Sequence, residues 1–181
     1  MDWLTTEENV VTLWREGRYP DAIQVLDRFL SARPAEDEIS LALAYRGESH
    51  DRLGQLESAR ADLMRAKSLT SFGTYSSYAL SLKLGGLCEA MEALADARQH
   101  YVEALQVILS ALDLSGGTAL ACLLRLSGSR PLSDQETQLV EAVVRKSWAV
   151  LAIPGEPEVT DLVKAAAILQ EHQGHRVGNA Q

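Results

Sequence analysis

Along the first two thirds of the chain, apolar and small residues return with helical spacing and in phase with one another. Ala22, Leu26 and Phe29 form one such phrase, Ala59, Leu63 and Ala66 a second, and Ala97, Tyr101 and Ala104 a third. Within each phrase the residues lie four and then three positions apart, which puts them on one face of an α-helix. The three leading alanines are 37 and 38 residues apart. A period of that length holds one helical hairpin per unit. Units that recur in phase predict an α-solenoid, in which each hairpin buries its apolar face against its neighbours. Alternating apolar–polar runs are short, so the chain reads as all-α.

The punctuation supports the same division. Prolines stand at 20, 34, 131, 154 and 157, and none interrupts residues 35–130. A proline inside a helix removes a backbone donor and clashes with the preceding turn, so this stretch is free to be helical. Thr5 and Glu8 read as a capping box for a helix over about 6–16, ended by Gly17. Pro20 suits the first turn of a helix over 20–32, which stops before Pro34. Helices are expected at 37–52 and 56–69 around Gly54, and at 75–91 and 93–113 after the Ser71–Thr74 break. Ser115, Gly116 and Gly117 end the run. A short apolar helix over 118–127 follows. Ser133 and Glu136 then form a second capping box, opening a helix to about 152 whose apolar face carries Leu139, Val140, Val143, Val144, Trp148 and Leu151. Beyond the turn at Pro154 and Pro157, a last helix over 160–173 is capped by Thr160.

The three units resemble tetratricopeptide repeats. That pattern places a Trp, a Leu-Gly pair and a Tyr on the first helix, then an Ala, a large apolar residue and a closing Pro on the second. The third unit reads Leu84, Gly85 and Cys88, then Ala97, Tyr101 and Ala104. The second reads Leu43, Arg46, Gly47 and His50, then Gly54, Ala59, Leu63 and Ala66. The first matches from Gly17 and Pro20 through Ala22, Leu26 and Phe29 to Pro34. Its first helix carries Thr6, Asn9, Val10 and Leu13 where the pattern has Trp, Leu, Gly and Tyr. The period exceeds the usual 34, and the surplus falls between units, at 33–38 and 70–76. The fold expected is an α-solenoid of three such hairpins (about 3–36, 37–74 and 75–114), a C-terminal helical cap over 118–173 and a flexible tail over 174–181. Gly47 and Gly85 are expected to let paired helices approach closely, with Ala22, Ala59 and Ala97 doing the same from the partner helix.

The resemblance also implies a concave groove lined by the first helix of each unit. By register its positions are Leu4, Glu7, Val11, Trp14 and Arg15; then Leu41, Ala44, Glu48, Asp51 and Arg52; then Ala79, Leu82, Gly86, Glu89 and Ala90. Some members of the family hold acidic peptide C-termini with a clamp of lysine, arginine and asparagine on this face. Here the clamp positions hold Glu7, Val11, Ala44, Glu48, Leu82 and Gly86, so chaperone C-terminal tails are not the expected ligand. An apolar and acidic groove instead suits a partner protein with apolar anchors beside Lys or Arg.

Composition narrows the function classes. Hydrophobic residues make up 46% of the 181 positions, enough for a packed core. The formal net charge of −8 and pI near 5.0 oppose a nucleic-acid or anionic-membrane surface. No apolar run reaches the ~20 residues of a membrane helix, and the N-terminus lacks a basic-then-apolar secretory leader. Cys88 and Cys122, outside any CxxC context, read as buried free thiols of a reducing, cytoplasmic setting. No P-loop, nucleophile elbow, HExxH or dinucleotide loop is present. His172 and His175 could share a helical face but have no converging third ligand, so no metal, cofactor or catalytic residue is assigned. The leading expectation is a non-catalytic adaptor or scaffold. The alternatives are a cytoplasmic chaperone for a secreted bacterial protein, and an immunity protein that neutralises a toxin.

Overall fold

Asp2, not Thr5, opens the first helix. Its carboxylate accepts the Thr5 backbone N–H at 2.9 Å and the Thr5 hydroxyl at 3.0 Å, a cap typically worth about 1 kcal/mol. The earlier start brings Trp3 into the helix, where it is buried edge-on against Phe29 and Tyr45. The computed structural model describes residues 2–110, 117–127 and 130–150. The expected helix over 160–173, its Thr160 cap, the His172 and His175 pair and the tail lie outside these residues. So do Leu151 and the side chain of Trp148.

Every regular element among the described residues is a helix, in the order α1 (Trp3–Arg15), α2 (Tyr19–Ser31), α3 (Glu36–Arg52), α4 (Leu56–Ser68), α5 (Tyr75–Ala90), α6 (Leu94–Ser110), α7 (Gly117–Ser127) and α8 (Asp134–Val150). Consecutive helices pack from α1 through α7, and α8 packs on α6. The Ser133 capping box forms as read: the Glu136 N–H donates to Ser133 Oγ at 3.3 Å, and the Ser133 N–H donates to Glu136 Oε2 at 2.7 Å.

The turns inside the hairpins share one design. Arg18 N–H bonds Leu13 O at 2.8 Å, Gln55 N–H bonds His50 O at 2.9 Å, and Ala93 N–H bonds Cys88 O at 2.8 Å. Such closures need a left-handed residue just before the donor. Gly17 and Gly54 supply it at φ +71° in the first two hairpins, but the third uses Glu92 at φ +59°. An L side chain there costs roughly 1–2 kcal/mol. Glu92→Gly should therefore raise the urea midpoint, with a gain of about 1 kcal/mol after glycine's greater unfolded-state freedom is subtracted. An unchanged midpoint would show that Glu92 carries no strain.

The repeated phrase forms the core. Ala22, Ala59, Ala97, Leu26, Ala66 and Ala104 have no exposed surface, and Leu63, Tyr101 and Phe29 have almost none. A Cβ on Gly47 would sit 3.0 Å from Leu63 Cγ, and one on Gly85 only 2.3 Å from Tyr101 Cε1. Both glycines are thus close-approach sites, as their positions in the pattern imply. Leu30 packs against both the first and second apolar clusters and joins the hairpins. A third cluster unites α5 and α6 with Ala119, Leu120, Leu123, Val140 and Val143 from α7 and α8. Cys88 is buried, which raises its thiol pKa, while Cys122 is only half-buried.

Candidate partner-binding face

The first helices of successive hairpins lie side by side and are tied by polar links. The Tyr45 hydroxyl donates to Glu7 between α3 and α1. Trp14 stacks on Tyr45 with ring centroids 5.0 Å apart, and its Nε1–H donates to Ser49 Oγ at 2.8 Å. Lys83 on α5 donates to Glu48 on α3. Arg125 on α7 donates to Glu89 on α5 at 2.7 Å. The second helices form a matching layer. Arg60 pairs with Asp96 at 2.9 Å and Lys67 with Glu103 across α4 and α6, while Arg98 pairs with Glu136 at 2.5 Å across α6 and α8.

These links are spaced 35 to 38 residues apart. Complementary polar residues one repeat period apart are the mark these links leave in the sequence. Tyr45, Lys83, Arg98 and Arg125 belong to no apolar phase and no known motif, so charge phase is their one signal in the sequence.

The links change the character of the expected groove. Leu4 is 71% exposed and Leu41 is 39% exposed, at corresponding positions of successive hairpins. Val11, Ala44, Ala79 and Leu82 are half-buried, while Arg15, Asp51, Arg52, Gly86 and Ala90 are exposed. Glu7, Trp14, Glu48 and Glu89 also fall on this layer but are engaged inside the solenoid. Glu48 pairs with Lys83 and lies 3.6 Å from Arg52. Glu89 accepts from both Arg125 and the Tyr101 hydroxyl, the latter at 2.5 Å. Glu48 and Glu89 are therefore not loose surface carboxylates, and reversing either to Lys would place like charges together.

Burial is the main cause that holds the hydroxyl protons in place. It pushes the Tyr45 pKa up to about 12, with the Glu7 hydrogen bond adding to the rise. It raises Tyr101 further, again reinforced by its bond to Glu89. Both phenols stay protonated donors at neutral pH and serve as joints between helices. No group of three or more His, Cys, Asp or Glu side chains suited to a metal ion occurs among the described residues. No helix among them is long and apolar enough to cross a membrane.

No family model and no curated protein matches the sequence. The structure is nonetheless similar to a crystal structure of nearly identical TPR-like repeats of a kinesin light chain from Podosopora anserina. The TM-score is 0.67 at 14% sequence identity, over 96% of this chain and 88% of that one. The chain thus has a TPR-like helical-repeat fold.

Proposed function

We propose that this chain is a non-catalytic protein-interaction module whose layer of first helices forms a concave face for a segment of a partner protein. The observation that carries the reading is the pair Leu4 and Leu41. Both are large apolar side chains left exposed on helices whose opposite faces are buried, one repeat apart. Exposed apolar positions that recur along a regular scaffold suit apolar anchors of a peptide or helix. Val11, Ala44, Leu82 and Gly86 continue that surface, and Asp51 offers an exposed carboxylate to a basic residue of the partner. In this reading α7 and α8 close the last repeat, since a solenoid needs its terminal apolar face covered. The same face would serve an adaptor, a chaperone for a secreted bacterial protein or an immunity protein, which differ in the partner and not in the surface. An adaptor is the reading we adopt.

The test is affinity capture from native lysate with the full chain and with Leu4→Ser/Leu41→Ser as baits, followed by binding kinetics on the captured partner. We expect at least a tenfold loss of affinity, mainly as faster dissociation, because apolar anchors act on residence time. Undiminished binding by a normally folded variant would move the site off this face. A resident complex among captured proteins supports the adaptor; a secreted protein or a toxin supports the corresponding alternative.

A further inference from the structure

One cleft, of about 270 Å³, opens at the end of the hairpins where α4 runs out and α5 begins. Asp37 and Leu41 border it from α3, Leu69 and Thr70 from the end of α4, and Thr74 and Ser76 from the start of α5. Its chemistry is one-sided. The lining holds a carboxylate and several hydroxyls but no cation. The hydroxyl protons of Ser40, Thr70 and Thr74 are already committed. Ser40 and Thr70 form a closed triangle with Ala66 O, at 3.0 and 2.9 Å to the carbonyl and 2.8 Å to each other. Thr74 Oγ1 donates to Ser71 O at 2.9 Å. A hydroxyl has one proton and two lone pairs, so these groups face the cleft chiefly as acceptors. The C-terminal end of α4 adds the negative pole of a helix. On α3, Glu36, Asp37 and Glu38 occupy the first turn and outweigh the half-unit positive charge of that helix start. Glu38 is drawn back onto the Ala35 N–H at 3.2 Å, whereas Asp37 is exposed and has no ion pair among the described residues.

The chain segment that forms one wall of the cleft also carries exposed apolar side chains. Phe72 in the turn before α5 and Tyr75 at its first position are each 67% exposed, and Leu41 adds a third exposed apolar side chain. A cleft lined by an unpaired carboxylate and hydroxyl acceptors, with exposed aromatic residues flanking its wall in the chain, matches an alkyl-ammonium or guanidinium group, which hydroxyls attract through their lone pairs and rings through their faces.

We propose that this cleft receives a lysine or arginine side chain of the partner segment, with Asp37 as counter-charge and an adjacent apolar residue of the partner resting on Phe72, Tyr75 and Leu41. The inference rests on the partner-binding reading above. It shifts the basic-residue specificity from the central carboxylates Glu48 and Glu89, which are occupied by Lys83 and Arg125, to the end of the groove. Charge complementarity at a rim site adds chiefly to specificity and association rate.

A random twelve-residue peptide library displayed on phage and selected on the immobilised full chain tests this. The enriched peptides should carry Lys or Arg next to a large apolar residue. Their synthetic versions should bind Asp37→Asn and Tyr75→Ala about tenfold more weakly, with rising salt weakening the wild-type complex and not the Asp37→Asn complex. Both positions are exposed, and circular dichroism melts verify that the variants fold. Absence of the basic–apolar pair, equal binding to Asp37→Asn, or no enrichment at all would overturn the proposal. Peptides that lose affinity for Leu4→Ser/Leu41→Ser but bind Asp37→Asn as wild type would overturn the cleft alone. Peptides insensitive to every variant would sink both readings.

Discussion

Gly85→Ala should cost about 3 kcal/mol and be the most damaging single methyl addition in the third hairpin. Its Cβ would stand 2.3 Å from Tyr101 Cε1 and 2.7 Å from two further ring atoms. The ring has little room to retreat, because Tyr101 is 1% exposed and its hydroxyl is held by Glu89 at 2.5 Å. Overpacking of a filled core commonly costs about 1–3 kcal/mol, and a contact this short belongs at the upper end. Gly47→Ala should cost less, since its nearest neighbour is Leu63 at 3.0 Å and a leucine can adjust its rotamer more readily than a pinned phenol. Urea denaturation of the two variants measures the difference. A double-mutant cycle with Tyr101→Leu, the residue type that faces Gly47, identifies the cause. Gly85→Ala/Tyr101→Leu should be more stable than the sum of the single losses predicts. A Gly85→Ala protein that unfolds like the parent would show that the third hairpin does not pack as described.

Removing Arg98 should cost about 3–5 kcal/mol in the docking of α8, the usual range when one partner of a buried ion pair is deleted. The guanidinium is nearly buried and makes four hydrogen bonds through its five N–H groups. It grips the Glu136 carboxylate at 2.5 and 2.8 Å, and donates to Arg130 O at 2.8 Å and Pro131 O at 2.9 Å. Arg98→Met would keep much of the side-chain length but strand a carboxylate and two carbonyls. Arg98→Met/Glu136→Leu should recover most of the loss, because an apolar pair can replace a buried ion pair at little cost. The Arg98 hydrogen bonds, helped by Ser133, hold the Glu136 pKa down to about 2 from a usual value of 4.5. A folded-state pKa below the unfolded one means that the unfolded chain binds the proton more readily. The stabilisation is therefore complete above about pH 4.5 and fades as pH falls towards 2. Thermal melts of wild type across this window should show an acid loss that the double variant lacks at this site. Equal acid sensitivity in both would assign the effect to other carboxylates.

The same two sites mark what the sequence alone could decide. The recurrence of Ala22, Ala59 and Ala97 at 37 and 38 residues requires a helix whose small face meets another backbone. With the proline-free stretch over 35–130 it determined the all-α class, the hairpin unit and most helix ends within a residue or two. Local chemistry was equally legible where a side chain acts on its own backbone: Ser133 with Glu136, Pro20 at a helix start, Gly17 and Gly54 at hairpin turns. Asp2 was the exception. Two caps competed for the same helix, and burial of Trp3 against Phe29 and Tyr45 settled the choice.

What only the tertiary structure decided is which charges are spoken for. Glu48, Glu89 and Asp51 read alike in sequence as carboxylates of a groove. Their difference depends on whether a side chain 35 or 36 residues away reaches them, as Lys83 and Arg125 reach Glu48 and Glu89. That depends on helix rotation and stacking to within a few ångströms, because charge-assisted bonds require donor and acceptor within about 3 Å. Hydrophobic phase tolerates errors of that size, since burial is non-directional. The fold was therefore written in the apolar spacing, while the pairing of charges on the layer of first helices became readable only once the helices were set side by side.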